Sequence, residues 1–160
     1  MPITQEEYGD NFKPHLLEQY KLYVEMADRI SGRRQSANSF FLSVNTAIIA
    51  AVGYVNFSSK TISEFYCLIS FAGIVQCYIW FRLIRSYKDL NSAKFKVIHE
   101  LESLLPVAPY DTEWNKVESG RNSKLYLPFT HIEAYIPWVF LVIHFFVFCK
   151  TISLLLIVHQ

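Results

Sequence analysis

Charge is missing from two long stretches of this chain. No Asp, Glu, Lys or Arg occurs from Gln35 to Ser59, nor from Phe65 to Phe81. A helix crosses the hydrocarbon core of a bilayer in about 20 residues, so each stretch reads as a membrane span. A third, from about Ala134 to Val158, is interrupted only by His144 and Lys150. Cysteine is scarce too. Cys67, Cys77 and Cys149 all fall inside the spans and have neither disulfide nor metal-ligand spacing, so they are expected as small apolar packing residues. Glycine-rich phosphate loops, nucleophile elbows and strand alternation are absent from the sequence. The residues therefore nominate no catalytic, cofactor-binding or metal site, and the chain is not expected to be an enzyme. A formal net charge of +1 carries no basic excess suited to nucleic acid.

What is present is apolar and aromatic: 52% of the 160 residues are hydrophobic and 16% are Phe, Trp or Tyr, too many for an ordinary soluble domain. The expected fold is an all-α integral membrane protein with three transmembrane helices and a cytoplasmic helical layer. Its parts are a tail and amphipathic helix (1–34), a two-span hairpin (35–85), a cytoplasmic helix with an irregular connection (86–131) and a third span (132–160). All of the 15 basic residues except Lys60 and Lys150 lie before the first span or between the second and third. The positive-inside bias then puts the N-terminus and the long connection in the cytoplasm and the C-terminus in the periplasm. The first apolar run follows a charged amphipathic segment and carries no small-residue cleavage site, so it is expected to remain as an anchor.

Within residues 15–34, Leu16, Tyr20, Tyr23, Ala27 and Ile30 recur at helical steps of three or four. That stripe suits a helix packed on its neighbours, with a helix lying among headgroups as the rival. In the first span Ser39, Ser43, Thr46, Ala50 and Gly53 share one face. Small residues permit close helix approach, so the face is either a packing seam or, in a ring of copies, a pore wall. Ser70, Gly73 and Cys77 repeat the pattern in the second span. Four intramembrane polar or ionisable side chains stand out. Asn45 points away from the small face and needs a partner, Gln76 accompanies the second seam, His144 suits a hydrogen bond to a neighbouring helix, and Lys150 suits snorkelling. The hairpin turn is expected on Asn56, Ser58, Ser59 and Ser63. Tyr87, Leu90, Val97, Leu101 and Leu104 predict a helix that ends before Pro106, continuous with the second span. Trp138, Phe140, Phe145, Phe146 and Phe148 make the third span bulky, as suits an outer layer facing lipid. His99, Glu100 and Glu102 are neighbours on different helical faces and read as a solvated surface, and His131 with Glu133 reads as interfacial.

The stretches YKLYVEMADRISGRRQSANSFFLSVNTA (20–47), LNSAKFKVIHELESLLPVAPYDTEW (90–114) and YLPFTHIEAYIPWVF (126–140) resemble the bacterial RipA-family octameric membrane proteins. The resemblance implies an inner-membrane assembly of eight copies. A lesser likeness, to two-span effector modules of antiviral systems, does not extend to the third span. On this footing the expected function is a homo-oligomeric pore or channel-like assembly with a stress or phage-defence role, whose cytoplasmic mouth would carry Arg33 and Arg34. The alternative is a non-conducting scaffold whose cytoplasmic layer recruits a protein partner. The partners expected are lipid, further copies of the chain and such a cytoplasmic protein, not nucleic acid.

The topology is open to direct test. A cysteine placed at position 115, on a background without the native cysteines, is expected to resist a membrane-impermeant maleimide in intact spheroplasts and to react after lysis. Labelling from outside would reverse the assignment.

Overall fold

The computed structural model describes residues 4–58 and 64–158. Ser59, Lys60, Ser63, His159 and Gln160 lie outside the described residues, as does the side chain of His131. Among the described residues every regular element is a helix, and three helices are long and apolar enough to cross a membrane.

Helix α1 (Gln5–Tyr8) starts at a capping box, in which the Glu7 amide donates to Thr4 Oγ1 and the Thr4 amide donates to Glu7 Oε2. It stops at Gly9, whose φ of 83° lies in the left-handed region that glycine enters without a Cβ clash. Helix α2 (Phe12–Ser58) is a single run of 47 residues. At 1.5 Å per residue that is about 70 Å, more than twice a hydrocarbon core. The amphipathic segment and the first span are thus one helix, and Asn56 and Ser58, expected in the turn, belong to it. Helix α3 (Glu64–Glu102), of 39 residues, likewise continues past the second span as its unbroken sequence predicts. Helix α4 (Pro109–Lys116) and a 3-10 turn at Glu118–Gly120 occupy the connection expected to be irregular. Helices α5 (Phe129–Glu133) and α6 (Ile136–Val158) complete the chain.

The chain divides into two compact units: Met1–Arg33 with Tyr87–Pro128, and Arg34–Ser86 with Phe129–Gln160. Of the 14 acidic residues all but Glu64 and Glu133 belong to the first, here the charged unit. The second, the apolar unit, holds the three spans.

A seven-residue repeat runs along both long helices. On α3, Ser70, Cys77, Ile84, Asn91 and Ile98 fall seven apart, with Tyr66, Gly73, Trp80 and Tyr87 between them, and all are buried or half-buried. On α2 the same holds for Leu16, Tyr23, Ile30, Ala37 and Val44, with Tyr20, Ala27, Arg34, Phe41 and Ile48 between them. Such spacing keeps one seam of a helix against a neighbour over many turns. The five positions read as an amphipathic stripe before the first span belong to this seam. The stripe expected toward the end of α3 lies partly off it: Leu90 is exposed and Leu104 falls beyond the end of the helix, while Ile98 and Glu102 are buried.

Glu102, expected on a solvated surface, is 1% exposed. Its Oε1 accepts from the Tyr20 hydroxyl at 2.9 Å and the Tyr110 amide at 3.0 Å, and its Oε2 accepts from the Asp111 amide at 3.0 Å. Ala108 at the N-cap of α4 has no side-chain cap to offer, so a carboxylate from α3 satisfies two amides of the first turn, where the helix dipole also favours negative charge. Burial, reinforced by Glu102, raises the Tyr20 phenol from 10.0 to about 12, which keeps it a donor. Phe95 packs edge-on to Tyr110 at 5.7 Å, and Lys94 stands 5.2 Å from the centre of the Tyr23 ring. The connection thus folds back on the two long helices of its own unit.

Replacing Glu102 by Ala leaves two amides and a phenol without their acceptor, a loss of about 1–3 kcal/mol. Amide hydrogen exchange across 109–116 is expected to accelerate. Unchanged exchange would show that α4 holds without the cap.

Candidate functional site

In the apolar unit the packed side of α3 brings polar groups together. Asn45 is fully buried, and its Nδ2 donates to the carbonyl of Phe41 in the preceding turn at 2.8 Å. That bond turns Oδ1 outward from α2, where it accepts from Cys77 Sγ of α3 at 3.3 Å and from His144 Nε2 of α6 at 3.0 Å. Because Oδ1 is an acceptor only, His144 presents Nε2–H to it. One amide oxygen therefore ties the three membrane helices. Within hydrocarbon such interhelical bonds are each worth roughly 0.6–2 kcal/mol.

Gly73 makes room for this knot. A Cβ there would stand 2.5 Å from His144 Nδ1, so the imidazole lies directly against the α3 backbone. The third span does approach another helix closely, contrary to what its bulky residues suggest, because the small residue is supplied by the partner helix. On α6 Pro137, His144 and Thr151, seven apart, are buried, while Phe145 and Phe146 stay exposed. Toward the other end of the unit, Trp80 donates from Nε1 to Asn38 Oδ1 at 2.9 Å, stacks on Phe41 at 5.7 Å and meets Phe140 at 6.2 Å. Arg34 pairs with Glu133 at 3.4 Å, both side chains largely covered.

Of the residues singled out in the sequence, Asn45, Cys77, Gly73 and His144 meet in one place. Ser70 is buried beside them on the same face of α3, and Gln76 is half-buried. Ser39, Ser43, Thr46, Ala50 and Gly53 form a separate face that is exposed in the single chain. Ser43 and Thr46 turn their hydroxyls back to the carbonyls of Ser39 and Leu42, each at 2.8 Å. Lys150 is exposed. Arg33 is exposed, whereas Arg34, expected with it at a mouth, has its charge offset by Glu133. The sequence reading missed Asn38, Trp80, Glu102 and Glu133 as interacting groups. For Trp80, Asn38 and Glu102 the signal was the seven-residue repeat, which places Trp80 on the seam and the other two beside it; Glu133, on α5, lies outside either repeat. Among the described residues no three His, Cys, Asp or Glu side chains gather as a metal set.

The model of the octameric membrane protein family matches residues 17–153. The chain belongs to that family. This is the octameric family that the sequence resembles, and the match takes in α3 and most of α2 and α6. No curated protein and no solved structure matches the chain. For an octameric membrane protein the knot has a plain consequence: each subunit satisfies Asn45, Cys77 and His144 internally, so contacts between copies fall to its outer faces.

Gly73→Ala is expected to push His144 off Asn45 and to destabilise the subunit by about 1–3 kcal/mol. The measurement is thermal unfolding in detergent together with the rate of Cys77 alkylation, which should rise. Gly32→Ala, where an added Cβ meets nothing within 4 Å in the chain, is the control expected to leave both unchanged.

Proposed function

We propose that this octameric membrane protein is a channel-like ring in the bacterial inner membrane, N-terminus inside, with α2 innermost and its small-residue face in the seam between neighbouring copies. What supports the reading is the contrast among the exposed faces of the spans. Ser39, Ser43, Thr46, Ala50 and Gly53 line up on α2, flanked by exposed Leu42 and Tyr54, while α3 exposes Phe65, Leu68, Phe71 and Val75, and α6 exposes Val142, Phe145, Phe146 and Leu156. Small residues suit close crossings between helices, and large ones suit lipid. Copies that share one orientation in a bilayer are related by an axis along its normal, so eight of them close as a ring through head-to-tail contacts.

No Asp, Glu, Lys or Arg occurs from Gln35 to Ser58, so a pathway bounded by this part of α2 holds no fixed charge. Arg33 and Arg34 lie about 120° and 140° round an α-helix from Ser39, and Arg34 is paired. Selectivity between cations and anions is therefore expected to be weak. The reading assigns no catalytic step.

Two measurements test it. Ala50→Leu and Gly53→Leu should disperse the octamer in native mass spectrometry, while Phe146→Leu should not. Purified wild-type octamer in planar bilayers should conduct with a reversal potential near zero across a salt gradient. An intact octamer that carries no current would favour the scaffold instead.

A further inference from the structure

The charged unit carries a groove and a projection that match each other. The groove lies between α2 and α3, encloses about 640 Å³, and is floored by Ala27 and Ile98 with Phe95 and Tyr110 on its wall. Its rim is charged. Lys21 is bonded to Glu18 at 2.9 Å and Arg29 to Glu25 at 2.6 Å, whereas Asp28 makes no ion pair among the described residues. The projection is the turn after α3, where Leu104 is 61% exposed and Val107 is 71% exposed, with Pro106 between them. Apolar side chains held out in a unit this rich in charge ask for cover. Beyond the turn Lys116 stands exposed at the end of α4, also with no ion pair among the described residues.

We infer that the groove of each copy receives the Leu104–Val107 turn of the next copy in the octamer, with Asp28 facing Lys116 of the partner subunit. The occupant is a second copy for three reasons. The family is octameric, so copies lie side by side. Asp28 on the rim and Lys116, which shares a surface hollow with Val107 and with Glu113, offer one pair of opposite charges. The two surfaces also differ, so their contact is head-to-tail and propagates round a ring, whereas a self-complementary patch would stop at a dimer. The projection is preorganised as well: Glu102, immediately before it, is fixed by Tyr20, Tyr110 and Asp111, so little further ordering is required on docking. The inference rests on the octameric state and on ring closure, and it stands whether or not the ring conducts.

The test is disulfide trapping in octamer isolated by size after two differently tagged chains are expressed together, one Asp28→Cys and the other Lys116→Cys. Cys67, Cys77 and Cys149 are common to all samples, so the informative product needs both substitutions. A covalent dimer carrying both tags, absent when either chain is expressed alone and lost on adding Val107→Asp, is the result expected. Intact octamer without that dimer would overturn the docking while leaving the channel reading untouched, and a trapped but silent octamer would do the reverse. Should either cysteine disperse the octamer, Asp28→Lys and Lys116→Asp in one chain decides: recovered assembly supports the pairing and continued dispersal overturns it.

Discussion

One amide oxygen, Oδ1 of Asn45, accepts a thiol from α3 and an imidazole from α6 while its own amide nitrogen is held by the carbonyl of Phe41. In hydrocarbon, apolar side chains gain little by leaving lipid for one another, so shape and hydrogen bonds decide how membrane helices register. The amide fixes both. Its orientation is set within α2, which directs the oxygen, and the oxygen places α3 and α6 to within a hydrogen-bond length. Gly73 is the steric counterpart, since the imidazole reaches Asn45 only by lying where a Cβ would be.

The charged unit solves a similar problem with a carboxylate. Glu102 is as buried as the knot residues, and its acceptors end the α4 amides and the Tyr20 phenol. A buried carboxylate is costly unless its lone pairs are engaged. Here the same contacts that stabilise it also anchor the connection between the second and third spans. In both units a single multivalent acceptor gathers elements distant in sequence: positions 45, 77 and 144 in one, 20, 102 and 110 in the other.

These arrangements leave the outer faces outside the polar networks that hold each unit. Ser39, Ser43, Thr46, Ala50 and Gly53 on α2 and Leu104 and Val107 after α3 are exposed in the single chain, which leaves them available to the neighbouring copies proposed above. In the octamer proposed above, subunits that fold on internal polar contacts would associate through surfaces of a different kind.

Sequence alone determined the helical class, the three spans and the family, because these follow from where charge is missing and how apolar residues repeat along the chain. It also marked Asn45 and His144 as needing partners, since polar groups in hydrocarbon are few and costly. The continuation of α3 past the second span was legible because no breaker intervenes, whereas the joining of the amphipathic segment to the first span in α2 came only with the structure; the seven-residue repeat along both helices was there to be counted. Tertiary structure decided which polar groups meet. Local pattern put Glu102 among solvated neighbours and Arg34 at an open mouth, but burial and pairing depend on what other segments bring: Tyr20 from 82 residues away in the sequence, and Glu133 from the entry to the third span. Likewise the close approach of the bulky third span was invisible in its own residues. The space it needs belongs to Gly73, on another helix.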